Sequence, residues 1–164
     1  MMPSLMQLIR KEAPNIDLDI VHLSPNDTIN ALESHNIDLD VSMDLTLPST
    51  INSRILLHDR MVCVMSETHP LAQRSMTLRD FLEQEHIKVS MSPLDGRYVD
   101  NSLAKSGKIR KISINVPHWL LVPHLLRHSN MVAVYSERLA RCDHSGLIMR
   151  ELPFPSDGFN WCLY

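Results

Sequence analysis

The chain has 164 residues, a formal net charge of −3 and 44% hydrophobic residues, enough for a packed core in one domain or two small lobes. The acidic balance argues against a basic nucleic-acid-binding surface, and no apolar run of about 18 residues predicts a membrane span. The first residues do not resemble a signal peptide. Three widely spaced cysteines, Cys63, Cys142 and Cys162, favour buried thiols in a reducing cytoplasm over a disulfide framework.

The first third of the chain predicts alternating helices and strands. Apolar spacing predicts a helix over 3–13, and alternating apolar and polar residues predict strands over 16–23 and 37–43. Between these strands, a capping serine at Ser24 followed by proline and an early aspartate predicts a helix start. We therefore expect a β-α-β unit, and with it a parallel sheet and a right-handed crossover.

The remaining two thirds continue this alternation. Strand patterns occur at 54–66, 87–91, 111–116, 131–136, 147–152 and 159–164. Helices are expected from Thr77 to about Glu85, from the turn after Ser92 to about Ser106 with Gly107 at its end, over 118–128 and over 137–142. Sustained alternation of this kind predicts an α/β fold with parallel sheets. A basic cluster at the end of the second of these helices suits the helix dipole better than a binding surface; it comprises Lys105, Lys108, Arg110 and Lys111.

Several phrases, taken in order, resemble a known family. They are "NALESHNIDLDVSM", "HPLAQRSMTLRDFL" and "SPLDGRYVDNSLAKSGKIRKISINVPHWLLVPHLL". Together they resemble the effector-binding domain of LysR-type transcriptional regulators, in the branch of nodulation regulators and regulators of aromatic catabolism. Each phrase is weakly specific, but the ordered set covers nearly the whole chain. The resemblance implies two Rossmann-like lobes of the type II periplasmic-binding-protein fold.

The resemblance also implies a division of the chain. Lobe I would comprise 1–64 plus 155–164 and lobe II would comprise 66–152, with crossovers near Met65 and at 153–158. The family has a strand before the opening helix and a helix after the last strand. Neither is found in this chain, so we expect lobe I to be truncated at both ends. The DNA-binding winged helix-turn-helix is absent from this chain, and we expect DNA contact only through that missing domain.

The family function implies a cytoplasmic, effector-sensing and dimerising domain, acting as a homodimer or higher oligomer. A small aromatic or carboxylate inducer would bind between the lobes, with no cofactor and no catalytic residue. Candidate effector-binding residues lie where strands give way to helices; they are Ser24, Asn26, Ser90, Ser92, Arg97 and His118. The serines equally fit helix caps. Arg97 could pair with a carboxylate, but a solvated side chain is favoured at that position.

Two other kinds of site receive less support. His118, His124 and His128 invite a metal interpretation, but no further ligand stands at zinc spacing, so surface histidines are favoured. A small α/β enzyme using Ser92 or Cys63 is an alternative, although GxSxG, P-loop and GxGxxG motifs are all missing. A solute-binding protein of the same fold is the third possibility.

Overall fold

The computed structural model describes residues 2–43, 45–90 and 98–164, without the side chains of residues 25 and 26. The helices in this part are α1 (Met2–Glu12), α2 (Pro25–Glu33), α3 (Leu78–Glu83), α4 (Val99–Ala104), α5 (Val122–Arg127) and α6 (Glu137–Cys142), with a 3-10 turn at Trp119–Leu121. The strands are β1 (Val41–Met43), β2 (Arg54–Asp59), β3 (Met61–Ser66), β4 (Glu85–Val89), β5 (Lys111–Val116), β6 (Val132–Ser136), β7 (Leu147–Arg150) and β8 (Phe159–Leu163).

The smaller sheet has three strands in the order β1-β8-β2. The central strand, β8, comes from the far end of the chain and runs antiparallel to both neighbours. Cys162 is paired with Ser42 on one side and with Ile55 on the other. The last strand therefore joins two early strands that would otherwise have no shared neighbour.

The larger sheet has five strands in the order β5-β4-β6-β3-β7. β4 pairs in parallel with β5 and β6, whereas β3 pairs antiparallel with β6 and β7. Side chains of β3 alternate between two buried clusters, with Val62 and Val64 in one and Cys63 and Met65 in the other. A central strand covered on both faces requires a continuous apolar run such as "MVCVM".

The predicted strand over 16–23 is wrong: that segment forms no strand. Ile16, Leu18 and Ile20 keep exposed fractions of 52%, 44% and 68%. Alternation identifies the face that a strand would bury, but a strand also needs a hydrogen-bonding neighbour. The structure assigns none to this segment among the described residues. The predicted strand over 37–43 is likewise reduced to its last three residues.

The prediction of parallel sheets is also wrong, since both sheets contain antiparallel pairs. A helix between two strands favours parallel pairing, and this holds for β4, β5 and β6. β3 follows β2 after a single residue, and β8 returns through a loop. These connections impose no parallel direction on the strands that they join.

Local signals at the helix ends are confirmed. The Ser24 side chain accepts a hydrogen bond from the Asp27 backbone N–H at 3.3 Å. Thr77 and Asp80 form a complete capping box at the start of α3. Gly107, with φ +65°, lies in the turn that closes α4, where a positive φ favours glycine.

The chain passes between the sheets twice, at Arg60 and through 151–158. β3 belongs to the five-stranded sheet along its whole length. The predicted lobe boundaries at 64–66 and 153–158 lie close to these connections and stay predictions. None of the helices in the described ranges is long and apolar enough to cross a bilayer.

Candidate functional site

A cavity of about 130 Å³ lies where the two sheets approach each other. Met43 of β1 contributes a wall from the three-stranded sheet. The other walls come from the five-stranded sheet and the segments packed on it: Met61, Lys88, Val89, Tyr98, Val99, Asp100, Arg110, Trp119 and Val134. Methionine, valine and aromatic side chains make most of the lining apolar, and three charged groups interrupt it.

The charged groups form one ion-pair cluster. Arg110 Nε donates to Asp100 Oδ1 at 2.7 Å, and Lys88 Nζ lies 3.7 Å from Asp100 Oδ2. The side chains of Arg110, Lys88 and Asp100 have exposed fractions of only 6%, 12% and 26%. Charges this far from water persist because they are paired, so the cavity lining carries anchored cations.

His86 contacts the Arg110 side chain of this cluster from within the core. Its ring is completely buried, and its Nε2–H donates to the Phe81 carbonyl oxygen at 2.8 Å. This tautomer leaves Nδ1 as an acceptor facing Arg110 Nη1 at 3.5 Å. Burial lowers the pKa of His86 to about 4, and the nearby Arg110 charge acts in the same direction. The imidazole is therefore neutral at neutral pH, when it can accept from the guanidinium.

Two aromatic rings line the cavity, and each is packed against a further ring. The Tyr98 and Phe159 centroids are 5.4 Å apart, as are those of Trp119 and Tyr135. Tyr98 has φ +46°, a conformation that residues other than glycine rarely adopt. Ring packing thus fixes both aromatic side chains at the cavity.

β4 ends at Val89, two residues earlier than the predicted strand over 87–91, so that Ser90 directly follows it; Ser90 is 9% exposed. Its Oγ donates to Asn115 Oδ1 at 3.3 Å, and Asn115 Nδ2 donates to the Ser90 carbonyl oxygen at 3.3 Å. Ser92 and Arg97 lie outside the described residues, as does the side chain of Asn26. The role of all four in effector binding stays a prediction.

The His118 ring lies close to the segment that precedes α2. Its centroid lies 6.4 Å from that of His22, and His22 lies two residues before Ser24. The structure therefore brings the turn at the start of α2 close to the turn before α5. Ser24 acts as a helix cap there, while binding by Ser24 or His118 stays a prediction.

Sequence reasoning did not identify most residues that line this cavity. Met43, Tyr98 and Trp119 come from three distant segments, and no local pattern connects them. The sequence pattern groups Arg110 with three lysines at a helix end, whereas its side chain is buried against Asp100. The signal that could have found it is Asp100, which stands ten residues earlier in the first turn of α4.

The alternative sites find little support in the described part of the chain. Cys63 has no exposed surface, and burial raises its pKa to about 12. A thiol in this state is a poor nucleophile. Within the described ranges, no group of three or more histidine, cysteine, aspartate or glutamate side chains could hold a metal ion.

Comparison with known proteins assigns the family. The LysR substrate binding domain matches residues 1–164. The transcriptional activator NahR of Pseudomonas putida is 30% identical over 154 residues, which are 94% of this chain and 51% of that protein. Nodulation protein D of Rhizobium leguminosarum bv. trifolii is 25% identical over 142 residues, covering 84% and 43% of the two chains.

Solved structures agree with this assignment. A probable transcriptional regulator from Pseudomonas aeruginosa superimposes with a TM-score of 0.90 at 26% identity, covering 99% of this chain and 56% of that one. The regulatory domain of MexT, a transcriptional activator of the same organism, gives a TM-score of 0.82 at 25% identity, covering 99% and 81%.

The fold and the family match define an effector-binding regulatory domain with a type II periplasmic-binding-protein fold. The chain belongs to the LysR substrate-binding domain family. This confirms the predicted family and branch, because the relatives include the transcriptional activators NahR and NagR and nodulation proteins. The matched family is a regulator domain and none of these relatives is named as an enzyme, which answers the enzyme alternative. The chain spans about half the length of the relatives that it matches.

Proposed function

We propose that this chain is the sensor of a LysR-type transcriptional regulator and that its inducer binds in the cavity between the two sheets. The observation that carries the proposal is the composition of the walls. Met43 comes from the three-stranded sheet, and the other lining residues come from the five-stranded sheet and its helices. A ligand that touches both parts has different affinities for different arrangements of them, and this difference is what shifts a conformational equilibrium.

The size of the cavity favours an inducer with a single ring. Its volume is about 130 Å³, and a protein cavity of about 150 Å³ accommodates benzene. Tyr98 and Trp119 offer ring faces or edges, and Met43 and Met61 offer thioethers that pack well against aromatic groups. We therefore propose an aromatic ring as the apolar part of the inducer.

The charged cluster favours a carboxylate on that ring. Arg110 and Lys88 both line the cavity, and both form ion pairs with the Asp100 carboxylate. An anionic group would meet an ammonium and a guanidinium in surroundings that screen charge weakly. The proposed inducer is thus a monocyclic aromatic carboxylate, which combines the aromatic and the carboxylate classes.

The predicted residues belong to the same proposal. Ser24, Asn26, Ser90, Ser92, Arg97 and His118 are the additional effector contacts. The grouping of the strands into two sheets supports the predicted lobes, 1–64 plus 155–164 and 66–152, with β3 of the five-stranded sheet at the boundary between them. The relatives named as HTH-type activators support contact with DNA through a domain outside this chain. Self-association and a cytoplasmic location complete the proposed assignment.

Calorimetric titration with benzoate, benzamide and cyclohexanecarboxylate tests this function. Benzoate is expected to bind and to raise the melting temperature with concentration. Neutral benzamide is expected to bind at least tenfold more weakly, because it lacks the charge that Arg110 and Lys88 meet. Equal affinity for benzoate and benzamide would contradict the carboxylate class, and stronger binding of cyclohexanecarboxylate would contradict the aromatic one.

Lysine substitutions locate the binding. Lys88→Gln is expected to weaken benzoate binding about tenfold, since it removes a cation from the cavity wall. The matched control is Lys111→Gln on the neighbouring strand β5, whose ammonium is paired with Glu85 and whose side chain is 67% exposed. An equal loss of affinity in both variants would place the binding outside this cavity.

A further inference from the structure

The Asp59 side chain is hydrogen-bonded to residues of both sheets, at the point where the chain first passes from one sheet to the other. It is the last residue of β2 and is 5% exposed. Its Oδ2 accepts from Ser136 Oγ at 2.5 Å and from Trp161 Nε1 at 3.1 Å. Ser136 ends β6 of the five-stranded sheet, and Trp161 lies in β8 of the three-stranded sheet. One carboxylate group therefore joins the two layers directly.

Arg60, the residue after Asp59, connects this contact between the sheets to the second connection, at 151–158. The Arg60 guanidinium is paired with Glu137 at 2.5 Å and with Glu151 at 2.6 Å. Glu137 opens α6, and Glu151 follows β7 where the chain leaves the five-stranded sheet. These pairs are exposed and contribute less than the buried bonds of Asp59. The buried carboxylate is the stronger part of the joint.

A row of aromatic rings connects this joint to the cavity. The centroid of Trp161 lies 5.8 Å from that of Phe159, which lies 5.4 Å from that of Tyr98. Tyr98 lines the cavity, and Phe159 is 1% exposed. In a close-packed interior, a ring in the middle of such a row cannot move without displacing its neighbours.

We propose that Asp59 is a latch that holds the two sheets at one relative angle, and that Tyr98 acts on this latch through Phe159 and Trp161. The link to an inducer rests on the proposed function, because it assumes that a ligand moves Tyr98. The latch and the aromatic row do not depend on that assumption, and both are tested without ligand.

The latch requires a carboxylate for a chemical reason. The Ser136 Oγ–H and the Trp161 Nε1–H both donate hydrogen bonds to Asp59 Oδ2. An indole N–H can only donate, so its partner must be an acceptor. Asp59→Asn keeps the shape but weakens the acceptor, and an amide nitrogen turned toward these donors accepts nothing. Ser136→Ala and Trp161→Phe each remove one donor and leave the carboxylate in place.

A distance measured between spin labels on the two parts of the chain tests the latch. The labels are placed at Asn30→Cys on α2 and Glu83→Cys on α3, in a Cys142→Ser background. The ligand-free wild type is expected to give one narrow distance distribution. Asp59→Asn is expected to shift the mean of this distribution or at least to double its width. Ser136→Ala and Trp161→Phe are expected to have the same effect to a lesser degree. Asp157→Asn, an exposed carboxylate in the second connection, is the matched control and is expected to leave the distribution unchanged.

The same labels test the aromatic row. Tyr98→Ala is expected to change the distribution in the same direction as Asp59→Asn. Trp119→Ala removes the other aromatic wall, which packs against Tyr135 outside the row, and is expected to leave the distance unchanged. An unchanged distribution in Asp59→Asn, Ser136→Ala and Trp161→Phe would overturn the latch. A wild-type distribution in Tyr98→Ala, or an equal effect of Trp119→Ala, would overturn the row. A failed benzoate titration would affect neither result.

Discussion

Arg110 Nε donates to Asp100 Oδ1 across 2.7 Å at the wall of the cavity, and the arginine side chain is 6% exposed. The two residues lie ten positions apart, one in the first turn of α4 and the other just before β5. Their pairing fixes the α4 N-terminus against the five-stranded sheet. It also places a guanidinium where a ligand in the cavity would meet it.

Breaking this pair is expected to cost stability. In Arg110→Met, the Asp100 side chain, which is 26% exposed, loses its closest cation and keeps Lys88 at 3.7 Å. This variant should have a free energy of unfolding that is lower by about 2–3 kcal/mol. The triple variant Lys88→Met/Asp100→Leu/Arg110→Met removes all three charges of the cluster and should recover part of that loss. Urea unfolding followed by circular dichroism measures both variants. A triple variant that is less stable than Arg110→Met would contradict this account.

His86 is expected to make the protein sensitive to mild acid. Burial lowers its pKa from the ordinary value of 6.5 to about 4. Between these values the unfolded chain binds a proton that the folded chain does not, so stability falls as the pH falls. The full effect is about 3 kcal/mol between pH 7 and pH 4.

Unfolding measured from pH 7 to pH 5 checks the His86 prediction. His86→Gln should be less stable than the wild type at pH 7, and the gap should narrow toward pH 5. His69→Gln is the comparison variant: burial lowers the pKa of His69 as well, so its gap to the wild type should also narrow toward pH 5, but to a smaller degree because His69 lies outside the Arg110 cluster. Parallel pH profiles for the wild type and His86→Gln would exclude a neutral His86 as the origin.

The three cysteines, all of them described, should differ in their reactivity. Cys63 and Cys162 are buried and Cys142 is exposed, and none is in a disulfide. Burial raises the pKa of Cys63 to about 12, so little thiolate forms near neutral pH. Iodoacetamide at pH 8 should modify Cys142 first, as read by peptide mass spectrometry. Rapid modification of Cys63 in the folded protein would restore the enzyme alternative.

The segment over 16–23 is expected to tolerate polar substitutions in this chain. Ile20 is 68% exposed, and Ile20→Thr should change the free energy of unfolding by less than about 0.5 kcal/mol. Ile87 in β4 is 1% exposed, and Ile87→Val should cost about 1 kcal/mol. Denaturant midpoints measured side by side provide the test. A larger loss for Ile20→Thr would indicate that this segment is packed.

Much of the local structure could be predicted from the sequence by itself. The capping residues Ser24 and Thr77, the turn at Gly107 and the continuous apolar run of β3 are signals in which the cause lies within a few residues. The ordered phrases over most of the chain likewise identified the family, which the comparisons confirmed. Interactions of short range in the chain leave short-range patterns.

Only the tertiary structure decided which strands pair and which side chains share the cavity. The segment over 16–23 has the alternation of a strand but no paired neighbour, and β8 crosses the chain to lie between β1 and β2. Arg110, Tyr98 and Asp59 owe their positions to partners that are ten, 61 and 102 residues away. Strand pairing and burial are properties of distant partners, and no local pattern contains that information.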